Sequence, residues 1–217
     1  MNWRPRLLLL DLDGTLVDSA PDLIRALQHV RAQVGLGPIG GERVRGSVSK
    51  GGRAILRAGL PEMVVEQAES HLDDLLQRYH ADICVESRLF DGMESLLARW
   101  HGEGGVSGIV TNKPEWLARP LLVALGLGET FVALVCGDTI AQRKPHPQPV
   151  LHACALAGIA PGDTLFVGDD RRDIEAGHAA GTRTATAEWG YLDGEDPALW
   201  GADWRLSTAA DLTALLW

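Results

Sequence analysis

Leu7-Leu8-Leu9-Leu10-Asp11-Leu12-Asp13-Gly14-Thr15 is the stretch that decides the fold. Four apolar residues without polar alternation suit a strand buried on both faces, as in a parallel sheet covered by helices. The run stops at an acid. The same pattern recurs downstream. Residues 106–110 run into Thr111, residues 131–135 precede Gly137-Asp138, residues 165–167 run into Gly168-Asp169, and a weaker run spans 182–187. Helical patterns occupy 92–100, 114–125, 147–157 and 171–180. Alternating strands and helices predict an α/β fold, a doubly wound parallel sheet of Rossmann-like form.

One region breaks the alternation. Residues 16–87 show helical patterns interrupted at 35–41, Gly51-Gly52 and Gly59-Leu60-Pro61, and no convincing strand. Leu23, Leu27, Val30 and Val34 share one helical face, as do Val64, Ala68, Leu72, Leu75 and Tyr79. The expected organisation is therefore a core of residues 1–15 and 88–217 with a helical insert, residues 16–87, between them.

The 217 residues are 46% hydrophobic and 23% charged, the balance of a soluble globular chain. A net charge of -9 argues against a nucleic-acid partner, which needs a surplus of Lys and Arg on one face. It leaves room for a small anionic metabolite, because a bound divalent cation inverts the local sign of a site. Cys84, Cys136 and Cys154 are odd in number and lack CxxC spacing, which suits a reducing, cytoplasmic setting. Arg4 and Arg6 before four leucines are a poor signal peptide, since the apolar run is short. No stretch approaches the roughly 20 apolar residues of a membrane span. A monomer and a homodimer are both compatible with the chain.

Ligands of open parallel sheets bind beyond the carboxyl ends of the strands. The distinctive polar groups all sit there: Asp11 and Asp13, then Thr111-Asn112-Lys113, then Asp169-Asp170 with Asp173. Lys144, in Lys144-Pro145-His146-Pro147, follows the third strand. Clustered carboxylates without histidine or cysteine favour a hard cation such as Mg²⁺, with Asp11, Asp13, Asp169, Asp170 and Asp173 as candidate ligands. An ionised carboxylate facing phosphorus is a nucleophile, and Asp11 is placed for it. Asp13 is the candidate general acid and base. Lys144, Thr111 and Asn112 would balance charge on the phosphoryl oxygens.

Each signal has a plainer reading when taken alone. Thr111-Asn112 is ordinary helix-cap chemistry ahead of Pro114. Lys144 is a lysine of a kind usually solvated, and Asp173 a first-turn acid. Gly35-Leu36-Gly37-Pro38-Ile39-Gly40 fits GxGxxG, but it follows a helix and Pro38 lacks an N–H, so it reads as a loop. The Pro145, Pro147 and Pro149 cluster reads as a rigid turn holding Lys144. Trp189, after the last strand, is placed to border the site.

Taken together, Asp11-Leu-Asp13-Gly-Thr-Leu-Val-Asp-Ser, Thr111-Asn-Lys, Lys144-Pro-His-Pro and Gly168-Asp169-Asp170-Arg-Arg-Asp173 resemble, in order and spacing, the four motifs of the haloacid dehalogenase-like hydrolases. The resemblance covers essentially the whole chain. It implies Asp11 as nucleophile, Asp13 as general acid and base, Thr111 and Lys144 as phosphate-binding groups, and Asp169 as a metal ligand. It also brings the backbone carbonyl of Asp13 to the metal, leaves Asp170 or Asp173 as its support, and makes the insert a mobile cap. The family's dehalogenases lack the second acid, so Asp13 points to phosphoryl chemistry.

Within the family, residues 44–53 resemble the cap of phosphoglycolate phosphatases. Segments 89–93, 110–114, 188–191 and 200–203 resemble N-acetylmuramic acid 6-phosphate phosphatases. The implied substrate is a small phosphomonoester, N-acetylmuramic acid 6-phosphate or 2-phosphoglycolate. Arg45, Lys50 and Arg53 in the insert either read that substrate or solvate a helix end. A sugar phosphomutase and a non-catalytic phosphate-binding relative are the alternatives. The first would yield an isomer instead of free phosphate, the second no turnover.

Overall fold

The protein, described over residues 3–217 by a computed structural model, is a parallel sheet between helical layers with a helical segment above one edge. In chain order the elements are β1 (Leu7–Leu10), β2 (Val17–Asp18), α1 (Ala20–Gln33), α2 (Glu42–Arg45), α3 (Gly52–Gly59), α4 (Val65–Glu69) and α5 (Leu72–Ala81). There follow β3 (Arg88–Leu89), α6 (Met93–Gly102), β4 (Val106–Val110), α7 (Glu115–Ala124), β5 (Ala133–Val135), α8 (Gln148–Ala157) and β6 (Thr164–Gly168). The chain ends with α9 (Arg171–Ala180), β7 (Arg183–Ala187), β8 (Trp204–Leu206) and α10 (Ala209–Leu216).

The main sheet has the order β5-β4-β1-β6-β7-β8, every pairing parallel. The four leucines of β1 have no exposed surface. Leu8 and Leu10 pack toward α6, α7 and α10, while Leu7 and Leu9 pack toward α8 and α9. Full burial stabilises by about 1.5–3 kcal/mol per leucine. That explains why the run is unbroken: a polar residue at any of these positions would meet a helix.

Strand order reverses between β1 and β6, and the crevice of a doubly wound sheet opens at that point. The acids following these two strands are thereby neighbours, although more than half the chain separates them.

The helices α1 to α5 gather their own apolar cluster, built on Leu23, Leu27 and Val30 of α1, Ile55 and Leu56 of α3, and Leu75 and Tyr79 of α5. Gly59 lets α3 approach α1, since a Cβ there would lie 2.3 Å from a Leu27 methyl. Three local expectations change. The segment's two ends are joined by a short antiparallel pair, Val17 with Leu89 and Asp18 with Arg88, where no strand was expected. Residues 64–79 carry two helices instead of one, α4 ending at Glu69 and α5 starting at Leu72, with the Ser70 hydroxyl donating to the Gln67 carbonyl at the break. The strand expected over 131–135 begins only at Ala133. No helix among the described residues is long and apolar enough to cross a membrane.

Candidate active site

Asp11 follows β1 directly and its amide N–H donates to the Val167 carbonyl of β6, 2.9 Å away. The chain then turns at Gly14, whose φ of 89° is left-handed. A Cβ on Gly14 would stand 2.0 Å from Asp169 Oδ2, so this turn presses bare backbone against the acid at the end of β6. Asp169 is fully buried. Its Oδ1 accepts from the Thr15 hydroxyl (2.9 Å), and its Oδ2 from the Tyr191 amide (2.8 Å) and the Ser49 hydroxyl (2.6 Å). Burial and the neighbouring Asp11 charge still push its carboxyl up to about 7, against the pull of these donors.

Lys144 carries the opposite charge into this cluster. Its Nζ lies 2.8 Å from Asp11 Oδ1 and 2.7 Å from Asp173 Oδ1, and donates to the Val110 carbonyl at 2.7 Å. Burial alone would lower the ammonium, but Asp11 and Asp173 outweigh it and hold Lys144 charged. Asn112 fixes the lysine's main chain from both sides. Its Nδ2 donates to the Lys144 carbonyl (3.0 Å), and its Oδ1 accepts from the Lys144 amide (3.1 Å). Thr111 is buried at the end of β4, its hydroxyl accepting from the Lys113 amide.

Asp11, Asp169 and Asp173 each offer a carboxylate oxygen within 4.8 Å of the others. Three buried acids against one ammonium leave an excess of negative charge, and burial pushes Asp173 well above the usual carboxylate range. Asp11 Oδ1 is buried without an aligned hydrogen bond, Lys144 being only a close charge. An oxygen-only, electron-rich and under-satisfied donor set fits a hard divalent cation such as Mg²⁺.

The other candidate ligands are engaged differently. Asp170 caps α9 and is gripped by Arg172, whose Nε lies 2.7 Å from Oδ1 and whose terminal nitrogen lies 2.8 Å from Oδ2. Burial pushes that carboxyl up, but Arg172 outweighs it and holds it below its ordinary range. Asp13 also stands outside the triad. It accepts from Ser19 and pairs with Lys113 Nζ at 2.9 Å. Its backbone carbonyl lies 3.3 Å from the Ser49 hydroxyl, the same hydroxyl that meets Asp169.

A cavity of about 440 Å³ opens above the acids. Its upper wall is apolar and comes from the helical segment: Leu23, Val48, Ile55, Leu72, Leu76 and Tyr79. Lys50 and Arg53 line it, but Lys50 is paired with Asp193 (2.7 Å) and Arg53 with Glu69 (2.7 Å). Arg45 does not line it. Its guanidinium bonds Asp18 at 3.0 Å and lies over the Tyr191 ring. Trp189, expected at the border, instead donates its indole N–H to the Thr15 carbonyl under the Gly14 turn. Ser49, Lys113 and Arg172 are polar groups of the site that the motifs did not assign. Lys113 and Arg172 stood inside quoted motifs, and Ser49 lay within the quoted cap segment 44–53, next to Lys50.

The family model of the haloacid dehalogenase-like hydrolases matches residues 8–187. The chain belongs to that family. This haloacid dehalogenase-like hydrolase is 45% identical over 202 residues to N-acetylmuramic acid 6-phosphate phosphatase of Pseudomonas aeruginosa, covering 92% of this chain and 89% of that one. It is 44% identical over 200 residues to a phosphoglycolate phosphatase of Xanthomonas campestris, covering 92% and 90%. The crystal structure of a predicted phosphoglycolate phosphatase from Haemophilus somnus superimposes with a TM-score of 0.87 at 27% identity, covering 100% of this chain and 99% of that one. The hydrolase is a phosphatase.

Proposed function

We propose that this phosphatase hydrolyses a small phosphomonoester in two displacements, with Asp11 as nucleophile. The observation that carries the reading is Lys144, whose buried ammonium lies within 2.8 Å of both Asp11 and Asp173, with Asp169 beside them. In the first displacement an Asp11 oxygen bonds phosphorus while the ester P–O bond breaks, and the departing alkoxide takes a proton from Asp13. In the second, Asp13 takes a proton from water as its oxygen attacks phosphorus, releasing inorganic phosphate and regenerating Asp11. Lys144 and Thr111 neutralise and position the phosphoryl oxygens, and Asn112 holds Lys144 in place. Asp11, Asp169 and the Asp13 carbonyl would hold Mg²⁺, with Asp173 in support. The ion supplies further charge neutralisation at the phosphoryl group when bound.

In this reading residues 1–15 and 88–217 form the core and residues 16–87 a cap that closes the cavity against water. The substrates named for the relatives, N-acetylmuramic acid 6-phosphate and 2-phosphoglycolate, are the candidates. The apolar upper wall favours the sugar phosphate, whose acetyl and lactyl methyl groups have somewhere to bury. Phosphate release from both esters, with Mg²⁺ and with EDTA, is the test. The expected result is Mg²⁺-dependent release that falls to background in Asp11→Asn. Release that survives in Asp11→Asn would sink the mechanism, and conversion to an isomer without free phosphate would make the protein a mutase.

A further inference from the structure

The cations lining the cavity are Lys50, Arg53, Lys113, Arg143, Lys144 and Arg172. All but one have a carboxylate partner. Lys50 pairs with Asp193 at 2.7 Å, Arg53 with Glu69 at 2.7 Å, Lys113 with Asp13 at 2.9 Å, Lys144 with Asp11 at 2.8 Å and Arg172 with Asp170 at 2.7 Å. Arg143 has none among the described residues. It is exposed at the rim, one residue before the lysine that sits on Asp11.

Arg143 is nonetheless held. Its Nε donates to the Gly137 carbonyl, and among the described residues the two terminal nitrogens have no hydrogen-bond partner. Gly137 belongs to the same frame as Lys144. Its amide donates to the Lys113 carbonyl at 3.0 Å, and a Cβ on it would fall 2.2 Å from the Asn112 carbonyl oxygen. Only glycine permits that approach. Asn112 in turn clasps the Lys144 main chain. The guanidinium is thus fixed through its inner nitrogen to the scaffold that positions Lys144, with its outer fork open. A planar fork of two N–H donors matches a carboxylate in bidentate geometry and needs little further ordering to bind one.

We infer that Arg143 receives a second anionic group of the substrate, a carboxylate, and selects carboxylate-bearing phosphomonoesters over neutral ones. The inference rests on the hydrolase reading above and adds a specificity residue outside the four motifs and outside the helical segment. Lys144 serves the phosphate that reacts, and Arg143 the group that does not.

The test compares substrates that differ only in the carboxylate: 2-phosphoglycolate against 2-hydroxyethyl phosphate, and N-acetylmuramic acid 6-phosphate against its lactyl carboxamide. The pair that the wild type turns over faster is used, with Arg143→Ala and Arg143→Lys purified and checked for an unchanged melting temperature. The ratio of kcat/KM for the acid over the neutral ester should fall about tenfold in Arg143→Ala, mostly through KM, because a contact made alike in ground and transition states sets binding more than turnover. Arg143→Lys should recover part of the ratio, since it keeps the charge and loses the fork. An unchanged ratio, or equal losses on both esters, overturns the assignment while leaving the phosphatase reading intact. If the wild type releases phosphate from none of the four with Mg²⁺ present, the proposed substrates fail and this inference falls with them.

Discussion

Replacing Asp169 with Asn should make the metal-free protein gain stability over the wild type as the pH rises. Asp169 is fully buried beside Asp11, and its carboxyl is raised from 3.8 to about 7 in the folded chain. The folded state therefore holds a proton that the unfolded state has released between those values. Stability present below about pH 4 is lost as the pH climbs through 7. Each pH unit in that window is worth about 1.36 kcal/mol. Between pH 5 and pH 8 the wild type should thus lose about 3 kcal/mol that the Asn variant keeps. The amide also disturbs the hydrogen bonds from Thr15, Ser49 and Tyr191, but that loss of about 1–3 kcal/mol is the same at both pH values and cancels in the difference. Urea unfolding in EDTA at pH 5 and pH 8, wild type against Asp169→Asn, measures it. Added Mg²⁺ should raise the wild-type melting temperature at pH 8 and do so less for the variant. Curves that shift in parallel with pH for both proteins would show that Asp169 is not the strained charge described here.

Gly14→Ala meets both a left-handed φ of 89° and Asp169 Oδ2 at 2.0 Å, so it should destabilise by more than about 3 kcal/mol, read as a lowered urea midpoint. Asn112→Ala removes both hydrogen bonds to the Lys144 main chain. It should lower kcat about tenfold to a hundredfold through misplacement of the ammonium, with a stability loss of about 1–3 kcal/mol in the same urea assay.

The sheet was legible because its strands are buried on both faces, so Leu7 to Leu10 and residues 165–167 stand out as unbroken apolar runs. β8 and α10 were not. Trp204-Arg205-Leu206 is an edge strand with an exposed arginine, too short to form a run. The α10 start did leave a mark, the reciprocal bonds of Thr208 and Asp211, which the pattern Thr-x-x-Asp announces. The strand-end acids were readable because clustered carboxylates have few other uses. Their division of labour was not: Asp170 and Asp173 differ only in what faces them, Arg172 for the first and Lys144 for the second. Ser49 reaches Asp169 across 120 positions, and a hydroxyl carries no sequence signal of that kind. Arg45 looked like Lys50 and Arg53, yet its helix turns it toward Asp18 and Tyr191 instead of the cavity.

The net charge of -9 and an anionic substrate are reconciled locally. Lys50, Arg53, Lys113, Arg143, Lys144 and Arg172 line the cavity against Asp11, Asp13, Asp170 and Asp173, so the wall carries more positive than negative groups although the chain as a whole is acidic. The carboxylates that would offset Lys50 and Arg53 are Asp193, Glu195 and Glu69, which stand behind the lining. Low-dielectric walls focus such a field toward the floor. Among the described residues the buried acids Asp11, Asp169 and Asp173 gather at that floor, where they would hold a divalent cation. In the proposed mechanism the phosphoryl group would lie beside Lys144, within reach of Asp11 Oδ1, which is buried 2.8 Å from that ammonium without an aligned hydrogen bond.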